Sequence, residues 1–248
     1  MIQDLHSHTY YSFCGKDRPE EIVEAAIAGG IELFGICDHS HGVGHARHDV
    51  YKYFHTDEDG DYGRTLWRYF DHLSLIREKY ADRIRVLRGI EISTRQSTPN
   101  VALPAGADVS FFDYCLIEDL DDPTSLTQGD PCLFSTRCGC PMGIAHTDLF
   151  AHIADRNEDA YDYCRRMADY GVFWEINVNF DSIHGYREHA FVKRFFENEE
   201  QQAIVRESGL RLSVGFDGHR KEDYLPARVS EACARIQKMG IKLAFEAD

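Results

Sequence analysis

Two histidines separated by one residue follow the first apolar run of the chain, in the stretch DLHSH that contains His6 and His8. In a β-strand, residues i and i+2 point to the same face, so both imidazoles would lie on one side of the strand end. Paired imidazoles are typical ligands of divalent metal ions. A solvated polar turn explains this pair equally well. Other parts of the chain therefore have to show whether the pair belongs to a metal site or to a turn.

Potential ligands also end most of the other apolar runs. The runs ELFGICDH, IRVLRGIEIS, MGIAHTD, VFWEINVN and LRLSVGFDGH carry such residues, which are Asp38, His39, Glu91, His146, Glu175, Asn177, Asp217 and His219. Each of them alone is typical of an ordinary turn. Chance does not place histidines and acids at the same end of six strands, so the set indicates one polar site.

The apolar runs alternate with helical stretches. A proline and two glutamates at 19–21 begin a helix, and further helices are predicted at 66–80, 158–170, 189–207 and 226–239. Such alternation predicts a parallel sheet, which is either a barrel or doubly wound. Polar residues at many strand ends, without a glycine-rich phosphate turn after the first strand, favour a barrel. We expect a single domain over 1–248.

The charge of the chain excludes one class of partner. Its 248 residues include 42 acidic and 27 basic side chains, for a net charge of −15. This field repels a long nucleic acid, whereas bound cations would still let a small anion bind locally. No apolar run reaches the roughly 18 residues of a membrane span, and the N-terminus MIQDLHSH lacks the regions of a signal peptide. We therefore predict a cytoplasmic protein.

Eight cysteines occur at irregular spacings, which is typical of reduced thiols rather than of a disulfide framework. Cys132, Cys138 and Cys140 lie closest together in the sequence. Their spacing lacks the CxxC pairs of zinc ribbons. An ordinary turn is therefore favoured there over a local metal site or disulfide.

The motifs DLHSHTYYS, GICDHS, RGIEIS, GIAHTD and SVGFDGHR resemble those of the PHP (polymerase and histidinol phosphatase) superfamily, and most closely its histidinol-phosphatase-like branch. The resemblance spans His6 to Arg220. It implies a distorted (β/α)7 TIM-like barrel that binds two or three divalent metal ions and hydrolyses phosphate esters with a metal-bound water or hydroxide. Nitrogen and carboxylate ligands suit Zn, Fe or Mn. Asp217 or the bridging hydroxide would manage the proton.

The same resemblance assigns candidate ligands to three metals. These are His6, His8, Glu91 and Asp217 for one metal, His39 and His219 for a second, and His146 for a third. Glu91 would bridge the first metal to a neighbour.

The chain departs from the family pattern in two places. The family has a histidine or acid shortly after the first HxH, and here Cys14 or Asp17 would take that place, with Cys14 favoured by spacing. The family's histidine on strand four is missing from FDYCLIEDLDD. Glu118, Asp119 or Asp121 would then supply oxygen ligands, or the site would hold two metals.

Two arginines and a group of histidines complete the candidates. Arg187 and Arg220 would clamp phosphate, since a guanidinium matches phosphate oxygens. Arg220 directly follows a candidate ligand and is better placed, whereas Arg187 fits a surface ion pair equally well. Residues 40–63 have no apolar period and predict a long loop. Its histidines, expected in a lid or in solvent, are His41, His45, His48 and His55.

The leading functional interpretation is a phosphomonoesterase acting on a small phosphorylated metabolite, for which the family suggests L-histidinol phosphate. The alternatives are a nucleotide or short oligonucleotide phosphoesterase and a non-catalytic metal-binding module. An amidohydrolase also begins with HxH but needs a bridging lysine at a strand end, which RGIEIS and FDYCLIED lack. The oligomeric state stays open at this point.

Overall fold

Parallel strands form the centre of the molecule, in a computed structural model that describes residues 1–43, 61–95 and 108–246. The strands within these ranges are β1 (Gln3–Asp4), β2 (Leu33–Ile36), β3 (Arg85–Ser93), β4 (Tyr114–Glu118), β5 (Met142–Ile144), β6 (Val172–Asn177) and β7 (Leu212–Gly215). They pair in chain order, every neighbour parallel. The sheet nearly closes where Ser7, beyond the end of β1, forms a bridge with Gly218, beyond the end of β7. This nearly closed sheet confirms the predicted distorted (β/α)7 barrel.

Helices surround the strands. In the described residues they are α1 (Pro19–Ala28), α2 (Ser40–Val43), α3 (Asp61–Lys79), α4 (Pro131–Cys138), α5 (Leu149–Asp155), α6 (Ala160–Asp169), α7 (Ala190–Glu197), α8 (Glu199–Ser208) and α9 (Pro226–Lys238), with a 3-10 turn at Lys221–Asp223. No helix of the described chain is long and apolar enough to cross a membrane.

Local chemistry explains where the helices depart from the sequence prediction. The helix predicted at 189–207 is two helices, because Asn198 leaves the helical conformation and its side chain accepts hydrogen bonds from the backbone N–H groups of Glu200 and Gln201. The predicted loop at 40–63 contains α2 and the start of α3, and its remaining residues lie outside the described ranges. Helices α4 and α5 were not predicted, since both are short.

Two apolar layers hold the barrel together. The larger lies between the strands and the helices, and the smaller fills the barrel interior around Tyr114. The Tyr114 hydroxyl donates to the Leu5 carbonyl oxygen at 2.6 Å across the barrel. Glycines at 35 and 89 make room for this ring, since a Cβ atom there would lie 2.2 Å and 2.4 Å from its atoms. This packing fixes the strands that carry the polar residues at their C-terminal ends.

Candidate metal centre

The paired histidines lie at the C-terminal end of β1, and strand alternation orients them. Ser7 points outward and donates to the Gly35 carbonyl oxygen at 2.7 Å, so His6 and His8 point to the opposite side. Both imidazoles are almost completely buried, with 0% and 1% of each residue exposed. The sequence prediction that they share a face agrees with this placement.

The first group of donor atoms has the dimensions of a metal site. The Nε2 atoms of His6 and His8 are 3.1 Å apart, and they lie 3.5 Å and 3.2 Å from Oδ1 of Asp217. Glu91 lies 3.3 Å and 3.5 Å from the same two nitrogens. A tetrahedral zinc site with bonds of about 2.0–2.1 Å has ligand atoms about 3.3 Å apart. His6, His8 and Asp217 therefore fit one divalent ion, with the Glu91 carboxylate beside them.

The other nitrogen of each ring is held by a hydrogen-bond partner. Oε1 of Glu175 lies 2.7 Å from Nδ1 of His6. Nδ1 of His8 lies 3.2 Å from the Ser12 hydroxyl, which itself donates to Asp38 at 2.6 Å. Such partners orient metal-bound imidazoles and select the tautomer with a free Nε2. Glu175, Ser12 and Asp38 are therefore positioning residues for the two histidines.

Glu91 stands at the centre of the cluster. Its Oε1 lies 3.3 Å from Nε2 of His6 and 3.3 Å from Nε2 of His146. Its Oε2 lies 3.5 Å from Nε2 of His8 and 2.8 Å from Nδ1 of His39. Each carboxylate oxygen therefore faces two different imidazoles, as a carboxylate that bridges two cations does.

Cys14 joins His39 and His219 at the edge of the cluster. The donor atoms of Cys14, His39 and His8 lie within 4.8 Å of one another. Burial raises the pKa of the Cys14 thiol, but the interactions with His219 and His39 lower it by a larger amount. The net effect lowers this pKa from 9.0 to about 7. Asp17, the sequence alternative, instead accepts from the Lys221 backbone N–H at 2.7 Å. Of the two candidates, the fold brings Cys14 to the histidines.

Glu118 is the acid of the β4 end that reaches the cluster. Its Oε1 lies 3.4 Å from Nδ1 of His39, and Glu91, Glu118 and His146 have donor atoms within 4.8 Å of one another. Asp119 instead accepts from Ser93 and Arg95, and Asp121 is exposed. The prediction that residues 118–121 supply an oxygen ligand therefore rests on Glu118.

Several buried ligand atoms in this cluster have no hydrogen-bond partner among the residues that the structure describes. They include Oε2 of Glu91, Oε1 of Glu118 and Nδ1 of His39. The Glu91 and His39 atoms are 2.8 Å apart but lack hydrogen-bond geometry. Buried carboxylates without partners are costly unless a cation balances them. The donor set therefore fits bound divalent ions.

The carboxylates hold protons on His6 and His146 when no cation is present, whereas burial and the neighbouring His39 and His219 lower the pKa of His8 to about 3. Burial lowers the pKa of His6, but Glu175, Asp217 and Glu91 raise it well above its usual value. For His146, burial likewise opposes Glu91, and the net effect raises the pKa to about 9. Metal binding would displace these protons, because a ligating imidazole has to be neutral.

Two candidate ligands have a strained backbone. His146 has φ of 28° and Asp217 has φ of 56°, a region that non-glycine residues rarely adopt. The His146 N–H donates to Oε2 of Glu175 at 2.7 Å, and the Asp217 N–H donates to the His6 carbonyl oxygen at 2.8 Å. Strain that the surroundings maintain in this way is typical of functional sites.

Two site residues were missing from the sequence prediction. Oδ1 of Asp181 lies 2.7 Å from Nδ1 of His184, and its Oδ2 lies 3.4 Å from Nδ1 of His219. Nε2 of His184 lies 3.5 Å from Oδ2 of Asp217. The available signal was the D-x-x-H spacing in FDSIHG, directly after the sixth apolar run.

His41 corrects one sequence prediction. It was expected in a lid or in solvent, but it lies in α2 with 2% of its surface exposed. Its ring stacks on His39 at 4.8 Å between centroids, and it shares a group of donor atoms with His39 and Glu118. The short helix turns it inward. His45, His48 and His55 lie outside the described residues.

The two arginines have different surroundings. Arg187 is exposed. Arg220 lines a small cavity with Ser7 and with Ile22 and Ala25 of α1. Because Ser7 points opposite to the two paired histidines, this cavity lies on the outer side of the strand. The phosphate clamp therefore stays a prediction for both arginines.

A family model covers almost the whole chain. The model of the PHP domain matches residues 4–243. The chain belongs to the PHP domain family. This confirms the resemblance of its sequence motifs, and it agrees with a donor set that fits divalent ions.

Individual relatives of this PHP domain include phosphatases. A probable phosphatase of Acetivibrio thermocellus is 22% identical over 231 residues, which are 88% of this chain and 80% of the relative. A second relative is the histidinol phosphate phosphatase of Lactococcus lactis subsp. lactis Il1403, whose structure was solved with zinc, L-histidinol and phosphate. Its TM-score is 0.57 at 15% identity, and the match covers 98% of this chain and 95% of the Lactococcus protein. A putative histidinol phosphatase of Listeria monocytogenes has a TM-score of 0.49 at 14% identity. The match covers 89% of this chain and 96% of the Listeria protein.

These likenesses bear on two different properties. The L. lactis structure confirms the barrel fold. The family and the phosphatase relative support a hydrolase of phosphate esters that depends on divalent metals.

Glu175→Gln tests the orientation of His6 in this PHP domain. We expect the affinity for the tightest-bound metal to fall about 10- to 100-fold, because partners of metal-bound imidazoles typically contribute that much. Titration with a competing chelator measures the dissociation constant. Glu158→Gln, a surface glutamate paired with Arg156 and Arg166, is the matched control. An unchanged affinity in Glu175→Gln would contradict the positioning role.

Proposed function

We propose that this PHP domain is a phosphatase that hydrolyses small phosphate monoesters, of which L-histidinol phosphate is the first candidate. The observation that carries the proposal is the position of Glu91, whose two carboxylate oxygens face four imidazoles in pairs. A carboxylate shared in this way fits two neighbouring cations, the arrangement used for phosphate ester hydrolysis.

Two or three divalent ions, Zn, Fe or Mn, would be held by the residues of this cluster. The proposed ligands are His6, His8, Cys14, His39, Glu91, Glu118, His146, Asp217 and His219. When bound, such ions supply a water of lowered pKa and positive charge for the phosphoryl oxygens. This charge matters because the protein has a net charge of −15.

The side chains at the rim would contact the substrate. The His184 side chain is 31% exposed and lies beside Asp217. The partly buried His189 ring stacks parallel to that of His146, 6.3 Å away, and its Nε2 lies 3.4 Å from the Asn179 amide nitrogen. These imidazoles lie at the open side of the cluster, so we propose that they hydrogen-bond to the phosphate or to the leaving alcohol. The neighbouring acidic residues would repel a long polyanionic substrate such as a nucleic acid.

A substrate panel tests the proposed function. The metal-reconstituted protein is assayed with L-histidinol phosphate, other phosphate monoesters, nucleotides and a phosphate diester. We expect kcat/KM for the best monoester to exceed that for the diester at least about a hundredfold, a difference of about 2.7 kcal/mol. Glu91→Gln, purified in parallel, controls for contaminating phosphatases. A preference for the diester, or no turnover by metal-loaded protein, would overturn the proposal.

Arg220→Ala tests the phosphate clamp that the sequence predicts. Loss of a guanidinium–phosphate hydrogen bond would lower kcat/KM about 10- to 100-fold and leave the metal content unchanged. Steady-state kinetics and elemental analysis measure both quantities. Arg83→Ala, which removes a surface arginine paired with Glu24, is the control. An unchanged kcat/KM would agree with the position of Arg220 beside α1 and exclude the clamp.

A further inference from the structure

A carboxylate and two imidazoles meet beyond the ends of β6 and β7. Asp181 and His184 lie in the segment that follows β6, and His219 lies in the segment that follows β7. Each of the three residues has a donor atom within 4.8 Å of a donor atom of the other two. None of the sequence motifs that resemble the PHP superfamily contains Asp181 or His184. This group therefore goes beyond the ligands inferred from those motifs.

The turn after β6 places Asp181 and His184 on the same side. The Asp181 side chain accepts from the His184 backbone N–H at 2.8 Å, and the Asp181 carbonyl oxygen accepts from the Tyr186 N–H at 2.8 Å. These two bonds close the turn. The His184 ring then lies 5.1 Å from the His219 ring, measured between centroids, so both imidazoles reach the Asp181 carboxylate.

Both rings present the same nitrogen to that carboxylate. Nδ1 of His184 lies 2.7 Å from Oδ1 of Asp181, and Nδ1 of His219 lies 3.4 Å from Oδ2. Two ligand atoms of a tetrahedral zinc ion are about 3.3 Å apart, so the longer distance fits two ligands of one ion. The shorter distance is that of a hydrogen bond. A cation would replace its proton, because a ligating imidazole nitrogen carries none.

Two atoms of this group are buried without a hydrogen-bond partner in the part of the chain that the structure describes. They are Oδ2 of Asp181 and Nδ1 of His219, in residues that are 0% and 4% exposed. The two atoms face each other but lack hydrogen-bond geometry. If Asp181 only oriented the His219 ring, a hydrogen bond would join them. A cation between them would compensate the burial of both.

We propose that Asp181, His184 and His219 bind a further divalent cation, for which zinc is the first candidate. Two imidazoles and one carboxylate are a common set of three zinc ligands that leaves one position open. The His184 side chain is 31% exposed, so solvent or a substrate reaches the site. His219 uses Nδ1 here and keeps Nε2 for the second metal of the proposed centre. The new site adds a cation to that centre and does not depend on what the centre hydrolyses.

Anomalous diffraction from crystals of the protein grown with saturating zinc tests the proposal directly. Data are collected on both sides of the zinc absorption edge. We expect an anomalous difference peak within about 2.5 Å of Oδ2 of Asp181 and Nδ1 of His219, separate from the peak expected at His6 and His8. If no peak lies beside Asp181, the proposal is overturned, and Asp181 is then a positioning residue for His219.

Zinc stoichiometry in solution provides a second test. Metal-free protein is dialysed to equilibrium against zinc, and the bound equivalents are counted by elemental analysis. We expect His184→Gln and Asp181→Asn each to bind about one equivalent less than wild type, since each removes one of three ligands. His72→Gln is the matched control, because it removes an imidazole that lies 2.9 Å from the Tyr11 hydroxyl, outside this group.

Equal zinc content in wild type and in both variants would contradict the site. The wild-type crystals decide where a variant fails to fold. Neither measurement uses turnover, so a failure of the proposed phosphatase activity is distinguishable from a failure of this cation site.

Discussion

Glu91→Gln is expected to lower phosphatase kcat/KM at least about a thousandfold in this PHP domain. That factor corresponds to about 4 kcal/mol of transition-state stabilisation. The Glu91 carboxylate faces His6, His8, His39 and His146. A neutral amide cannot place an anionic oxygen toward both halves of the cluster, so both proposed metals would lose a ligand at once.

The measurement combines elemental analysis with steady-state kinetics on the best monoester. We expect at least one metal equivalent to be lost from Glu91→Gln. The circular dichroism spectrum of this variant should match that of wild type, which shows that the barrel is still folded. Glu24→Gln removes an exposed carboxylate of the same length, which is paired with Arg83 on the surface. It should match wild type in both assays. Full metal content together with full activity in Glu91→Gln would disprove the bridging role.

Removal of the metals with a chelator is expected to lower the melting temperature by about 8 °C or more. A ligand present at a thousand times its dissociation constant stabilises the folded state by about 4 kcal/mol. In a chain of this size, each kcal/mol shifts the melting temperature by about 2–4 °C. Without cations, the buried Glu91 and Asp217 carboxylates face histidines, and the Asn177 amide donates to Asp217 at 3.5 Å.

Thermal unfolding followed by circular dichroism measures this shift before and after dialysis against the chelator. Added zinc should restore the original melting temperature. The chelator should lower the melting temperature of Glu91→Gln by less than half as much as that of wild type, because this variant has already lost metal. If metal-free and metal-loaded wild type unfolded at the same temperature, the buried cluster would not depend on cations.

The residues that point to a metal centre were evident from the sequence, and the physical reason is the regularity of a strand. Side chains two positions apart share a face, so the pattern at His6 and His8 is a local property of the chain. Alternation of strands with helices similarly predicts a parallel sheet, because such strands need a helical crossover. The barrel fold and the C-terminal position of the polar residues followed from these rules.

Contacts between distant segments were decided by the tertiary structure alone. The choice of Cys14 over Asp17 depends on Lys221, which lies near the other end of the chain and hydrogen-bonds to Asp17. The burial of His41 depends on a single helical turn in a stretch without apolar periodicity. Sequence patterns report neighbours within one element, whereas these side chains are selected by neighbours in other elements.

The residues that position the histidines were visible in the sequence, but their contacts were decided by the tertiary structure. Glu175 was visible at a strand end, but its hydrogen bond to His6 joins residues of β6 and the end of β1. The pairing of Asp181 with His219 also crosses between elements. By itself the sequence determined which residue types end the strands. The closure of the barrel decided which of them touch, because only closure brings the first and last strands side by side.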